Sequence, residues 1–80
     1  MAVRIVFLGS LQDIAGREEM EAAAPLDWAR LLEAVGPDCA AALQSERVHI
    51  ACAGTVLADK VALLAQDGDE VALLPPVSGG

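Results

Sequence analysis

Eighty residues without a long polar tract make one domain around one hydrophobic core, because a chain this short cannot divide its apolar surface between two. Hydrophobic residues are 55% of the chain and the mean hydropathy is +0.48, which excludes intrinsic disorder; with Phe7 and Trp28 the only aromatics, the core must be aliphatic. Twelve acids against five Lys and Arg give a formal charge of −7, which repels phosphate backbones and speaks against nucleic acid. Such a surface ordinarily serves solubility, and the partner it would attract is a protein with a basic face.

In chain order, Val3, Ile5 and Phe7 alternate with Arg4, Val6 and Leu8, which predicts a first strand covered at least partly on both faces. The apolar run after Arg4 stops at Gly9, too soon for a signal-peptide core or a membrane span, so a cytoplasmic protein without membrane contact is expected. Gly9 and Gly16 bracket "SLQDIA", one or two helical turns or a loop. "REEMEAAA" places Met20, Ala22 and Ala24 on one side and Glu19 and Glu21 on the other, a half-buried strand pairing antiparallel with the first.

"PLDWARLLEAVGPD" carries the plainest helical period, with Trp28, Leu31, Leu32 and Val35 on one face and read as core. Asp27 is the expected N-cap, Gly36 the left-handed residue that ends the helix, and Pro37 the block to its continuation. "DCAAALQ" predicts a shorter second helical segment, and "RVHIACA" a third strand ended by a turn at Gly54. "TVLADKVALLAQDGDEV" reads as a short edge segment and irregular structure leading to a turn at "DGD". "EVALLPPV" is the last strand, stopped where proline can no longer donate to a ladder. The order strand, strand, helix, strand, short segment, strand predicts an α+β domain with the helix on one face of a mixed sheet.

Side-chain catalysis finds little support. GxSxG, HExxH, GxxxxGK[ST] and GxGxxG are all absent from the sequence. Glu18, Glu19, Asp67, Asp69 and Glu70 fall in a strand edge and a turn, where a solvated face explains them. Cys39 and Cys52 have neither redox nor zinc spacing and read as small packed thiols. His49 has no sequence neighbour that would complete a triad or a metal site, and no metal is expected.

The end of the chain differs in kind. No side chain from Val71 to Gly80 is charged, although 21% of the chain is. Pro75 and Pro76 stiffen the exit from the last strand, and Ser78, Gly79 and Gly80 add almost no bulk. Six extended residues reach on the order of 20 Å, enough to enter a narrow channel in another protein. Glycines there let backbone and carboxylate approach a reactive centre that larger residues would block. By composition alone, a frayed end or a Ser-Gly linker explains the same stretch.

"DGDEVALLPPVSGG", together with the "VRIVFLGSLQDIAG" start and the length, resembles the small sulfur-carrier subunits of molybdopterin synthase, across essentially the whole chain. The resemblance implies a ubiquitin-like β-grasp fold: a mixed sheet of four to five strands, one main helix on one face, and a flexible Gly-Gly tail. It divides the chain into a domain at 1–74 and a tail at 75–80. It also implies a chemical cycle in which an activating enzyme, using ATP and Mg, adenylates the Gly80 carboxylate. Sulfur from a donor protein then gives a thiocarboxylate, which the large synthase subunit receives and uses to sulfurate a cyclic pterin phosphate precursor.

On that resemblance the subunit is not catalytic alone, holds no cofactor stably, and assembles as a heterotetramer with the large subunit. Gly80 carries the reacting group, Gly79 gives clearance, and Pro75, Pro76, Val77 and Ser78 guide the tail. Leu8 and Leu74, with Val56 or Leu57, match positions that face the large subunit; ordinary packing within the domain is the competing account. The family often has aromatic residues where this chain has Leu73 and Leu74, and Asn where it has Ala53, with Gly54 expected to supply the turn. A sulfur carrier for thiamine or another pathway, a ubiquitin-like protein modifier, and a binding module with an incidental tail stay open as alternatives.

Overall fold

The computed structural model describes residues 2–76. Its first strand, β1 (Ala2–Phe7), buries Val3, Ile5 and Phe7 on one face, leaves Arg4 exposed and half-buries Val6 on the other. A six-residue helix, α1 (Ser10–Ala15), follows Gly9 and ends at Gly16, whose left-handed backbone accommodates the reversal. β2 (Glu19–Ala23) returns antiparallel to β1, with Met20 beside Ile5 and Glu19 beside Val6, as the alternation requires.

The central helix spans the stretch that its apolar stripe and its expected cap define. Leu26–Asp27 form a two-residue strand, β3, and α2 runs Trp28–Val35. Leu26 pairs with Ala65 and is buried, so the residues just before the helix are held as strand. Asp27 does cap it, its carboxylate accepting the Arg30 backbone N–H at 2.9 Å. Gly36 has positive φ (+89°), but its ψ of 166° lies outside the left-handed helical region expected of it. It turns the chain directly into α3 (Pro37–Leu43), where Pro37 opens the new helix, needing no N–H donor there.

β4 (His49–Cys52) and β5 (Thr55–Val56) form a hairpin. The glycine does not supply its turn alone: Ala53 (φ +51°) and Gly54 (φ +87°) both have positive φ. A 3-10 turn at Lys60–Ala62 leads to β6 (Leu64–Ala65), the partner of β3, and the chain closes with β7 (Glu70–Leu74). The main sheet has the order β2-β1-β7-β4-β5. β1 and β7, the first and last strands, lie parallel at its centre; the other pairings are antiparallel. This is the expected ubiquitin-like β-grasp arrangement, with a second small sheet and two further helical segments beyond the main helix.

One aliphatic core holds the layers together. Val3, Ile5, Phe7, Ile50, Val71 and Leu73 from the inner sheet face meet Leu11, Leu31, Cys39 and Leu43 from the helices. Burying each of the large members is worth about 1.5–3 kcal/mol. No polar or charged residue is buried among the described residues, so this core demands no internal hydrogen bonds of its side chains. Of the α2 stripe only Leu31 is fully buried; Trp28, Leu32 and Val35 pack half-exposed along the core's margin.

Candidate functional site

The strand registers place the candidate residues on the sheet face opposite the helices. Val6 lies beside Ala72, Ala72 beside Ala51, and Ala51 beside Val56, an apolar row across β1, β7, β4 and β5. Leu74, beside His49, lies on the same face one row further along, toward the end from which the chain leaves the sheet. Leu8 extends β1 past its last ladder residue, its N–H donating to the Leu73 carbonyl at 3.3 Å. Val6, Leu8, Ala51, Ala72 and Leu74 are half-buried and Val56 is 56% exposed, yet none belongs to the core or to the side chains packed against it. Leu8 and Leu74 are thus half-buried on the outer face and lie outside the core cluster.

Leu57, by contrast, does pack against the core, while its N–H donates to the Ile50 carbonyl at 2.8 Å. Of the two adjacent candidates, Val56 faces outward and Leu57 inward. The other end of this face is charged: Arg4 lies between Glu21 and Glu70 in register and pairs with Glu70 at 3.3 Å and Glu19 at 3.6 Å. The Arg4, Glu19 and Glu70 side chains are each more than half exposed, so the pairs add little stability and serve chiefly to shape the surface field.

The exit from the sheet is built at the junction of β7 and the β1–α1 turn. Pro75 follows the last ladder residue and is half-buried, with Pro76 exposed. Gly9 combines φ +53° with ψ −131°, and a Cβ placed on it would come within 2.9 Å of Pro75 Cγ. The turn itself is held by Gln12, whose side-chain amide donates to the Phe7 carbonyl at 3.0 Å. Val77, Ser78, Gly79 and Gly80, the rest of the proposed tail, lie outside the described residues.

The acids near the "DGD" turn do more than form a solvated face. Asp67 accepts the Ala2 N–H at 2.9 Å, tying the start of β1 to the turn before β7, and Asp69 accepts the Gln66 N–H at 2.9 Å. Lys60, the single lysine, is likewise fixed. Its ammonium donates to the Ser45 carbonyl and, at 2.9 Å, to that of Val48, and stands 5.9 Å from the Trp28 ring centroid. Burial lowers its pKa from the ordinary value, and Glu46 works against that shift.

Both cysteines are free. Burial pushes the Cys39 thiol above its ordinary pKa, and burial together with the Asp69 carboxylate does the same for Cys52, so neither is primed as a thiolate. His49 is exposed on the outer face, and no metal-holding cluster occurs among the described residues.

With its first and last strands parallel in a five-stranded sheet and the helices packed on one face, the chain is a ubiquitin-like β-grasp domain. Over residues 5–80 the sequence matches the ThiS family, and the chain belongs to that family. No curated protein sequence matches it.

Among solved structures it is similar to subunit 1 in the complex of subunits 1 and 2 of molybdopterin-converting factor from Helicobacter pylori, with 26% identity, all of both chains covered and a TM-score of 0.68. It is also similar to the small archaeal modifier protein 1 of Methanosarcina acetivorans, with 23% identity, 99% of this chain and 96% of that one covered, and a TM-score of 0.75. The Haloferax volcanii protein of the same name is 23% identical, with full coverage of both chains and a TM-score of 0.73. No helix among the described residues is long and apolar enough to cross a membrane.

Proposed function

We propose that this chain is the sulfur-carrier subunit of a molybdopterin synthase, working in the cytoplasm. The Gly80 carboxylate is a poor electrophile, so an activating enzyme consumes ATP, with Mg, to convert it to an acyl-adenylate. Sulfur transfer from a donor protein displaces AMP and leaves a thiocarboxylate on Gly80. The large subunit then receives residues 75–80 as a tail, and the sulfur passes to the cyclic pterin precursor of the molybdenum cofactor. Gly79 leaves room at the reacting carbon, and Pro75, Pro76, Val77 and Ser78 guide the insertion. Residues 1–74 form the domain that docks, through Leu8, Leu74 and Val56, in a heterotetramer.

The observation that carries this reading is the outer sheet face. Val6, Ala72, Ala51, Val56 and Leu74 form an apolar surface unused by the core and continuous with the tail's exit. The Helicobacter pylori structure, a complex of two subunits of molybdopterin-converting factor, supports a large-subunit partner. The activating enzyme handles the nucleotide and its metal, so the carrier needs no resident cofactor.

The modifier proteins among the similar structures favour a second reading, attachment of Gly80 to lysines of target proteins. Extended chains would then have to grow through Lys60, whose ammonium is already engaged by two carbonyls and faces Trp28.

Intact mass of the protein from its native cell, with the activating enzyme present, tests the proposal. Replacement of one oxygen by sulfur, localised to Gly80 and separated by exact mass from sulfoxide on Met1 or Met20, is the expected result. An unmodified Gly80 while the pathway is active would refute sulfur carriage, and isopeptide adducts through Gly80 would establish the modifier reading.

A further inference from the structure

We propose that Gly9 is a positioning residue for the tail: its missing side chain seats the Pro75 ring and so sets the direction in which the chain leaves the sheet. The inference rests on the sulfur-carrier reading for its functional consequence and on geometry alone for the contact.

Five glycines among the described residues have positive φ. Gly16, Gly36, Gly54 and Gly68 have nothing within 4 Å of where a Cβ would lie, so their role is backbone freedom. At Gly9 the three nearest atoms to that position all belong to the Pro75 ring: Cγ at 2.9 Å, Cβ at 3.7 Å and Cδ at 4.0 Å. Pro75 therefore occupies the volume that a side chain at position 9 would need.

Neither side of this contact yields easily. The Gly9 backbone is fixed from both directions: Leu8 N–H donates to the Leu73 carbonyl at 3.3 Å and Gln12 N–H to the Gly9 carbonyl at 3.0 Å. Gln12 also anchors the Phe7 carbonyl through its side chain. On the other side, the pyrrolidine ring is bonded to its own backbone nitrogen and cannot swing away as a long side chain would. A group added at Gly9 must displace Pro75 itself, and with it the direction of the tail beyond.

A double-mutant cycle separates positioning from turn strain, since L-alanine at this φ is strained whatever the space around it. Gly9→Ala, Pro75→Ala and the double variant are compared by melting temperature, by nuclear Overhauser contacts between Gly9 Hα and the side chain at 75, and by amide shifts of residues 77–80. Adenylation kinetics with the activating enzyme, at varied carrier concentration, complete the set.

Gly9→Ala is expected to shift the tail amides and raise KM about tenfold with a smaller change in kcat, as a misdirected reactive end would. The double variant is expected to adenylate no worse than Pro75→Ala, although both variants with alanine at position 9 melt lower than their parents. Independent effects that multiply in the double, or a KM that simply follows melting temperature, would reduce Gly9 to a turn residue. If the unaltered protein is never adenylated yet its tail shifts respond and recover as described, the carrier reading fails while the positioning contact stands. If adenylation proceeds normally and neither shifts nor KM respond to Gly9→Ala, the positioning proposal fails alone.

Discussion

Ala53 occupies a position that its side chain does not favour. It is the non-glycine residue with positive φ among those described, and it shares the β4–β5 turn with Gly54, which also has positive φ. Two such residues joining Cys52 to Thr55 are the backbone pattern of a two-residue hairpin turn, for which Asn-Gly is the preferred pair. Alanine there brings Cβ close to the following carbonyl, a cost of roughly 1–2 kcal/mol, whereas Asn offsets part of it through local hydrogen bonding. The position is exposed, so replacement disturbs no packing. Ala53→Asn is expected to raise stability by about 0.5–1 kcal/mol, read as a higher urea midpoint at unchanged slope. An equal or lower midpoint would mean that the turn conformation is not what limits this hairpin. Gly54, the residue the sequence makes conspicuous, would show none of this strain.

Strand parity at Val56 and Leu57 sends one side chain outward, where the proposed partner would meet it, and the other onto the core. Val56→Asp is expected to leave the melting temperature within about a degree, because the site is open, and to weaken large-subunit binding at least about tenfold. Leu57→Ala is expected to cost about 1–2 kcal/mol of stability, as its side chain packs half-buried on the core, while partner affinity changes little. Thermal melts and binding titrations on the same two variants check this, and the reverse pattern would invert the assigned faces. The sequence could not choose between them because β5 has only two residues, too few for a period of two to show. β3 and β6 are illegible for the same reason, because only Leu26 meeting Ala65 across the chain makes them strands. Longer elements were readable: β1, β2 and β7 from alternation or the proline stop, and α2 from its stripe and Asp27. The parallel pairing of β1 with β7 and the seating of Pro75 on Gly9 join residues far apart in sequence, which local patterning does not encode.

If the outer face docks as proposed, net charge should govern encounter and the apolar row should govern residence. The chain carries a formal charge of −7. On the outer sheet face Glu19, Glu21 and Glu70 surround a single Arg4, with Glu19 flanking Val6 at the β2 end of the apolar row and the others one row away. Opposite fields raise association rates from about 10⁵–10⁶ toward 10⁸–10⁹ M⁻¹s⁻¹ at low salt, and the gain fades once the screening length falls below about 10 Å. Rim charges act mainly on association, whereas burial of Leu74, Leu8 and Val56 would set dissociation. Raising ionic strength from about 0.05 to about 0.5 M is therefore expected to slow association with the large subunit about tenfold or more, with dissociation changed less than about twofold. Glu21→Lys should mimic high salt by lowering the association rate and flattening its salt dependence, while Leu74→Ala should speed dissociation at every salt concentration. Stopped-flow binding with both variants resolves the two rates. A salt-independent association rate, or a Leu74→Ala effect confined to association, would show that encounter and residence are not divided between these two parts of the sheet face.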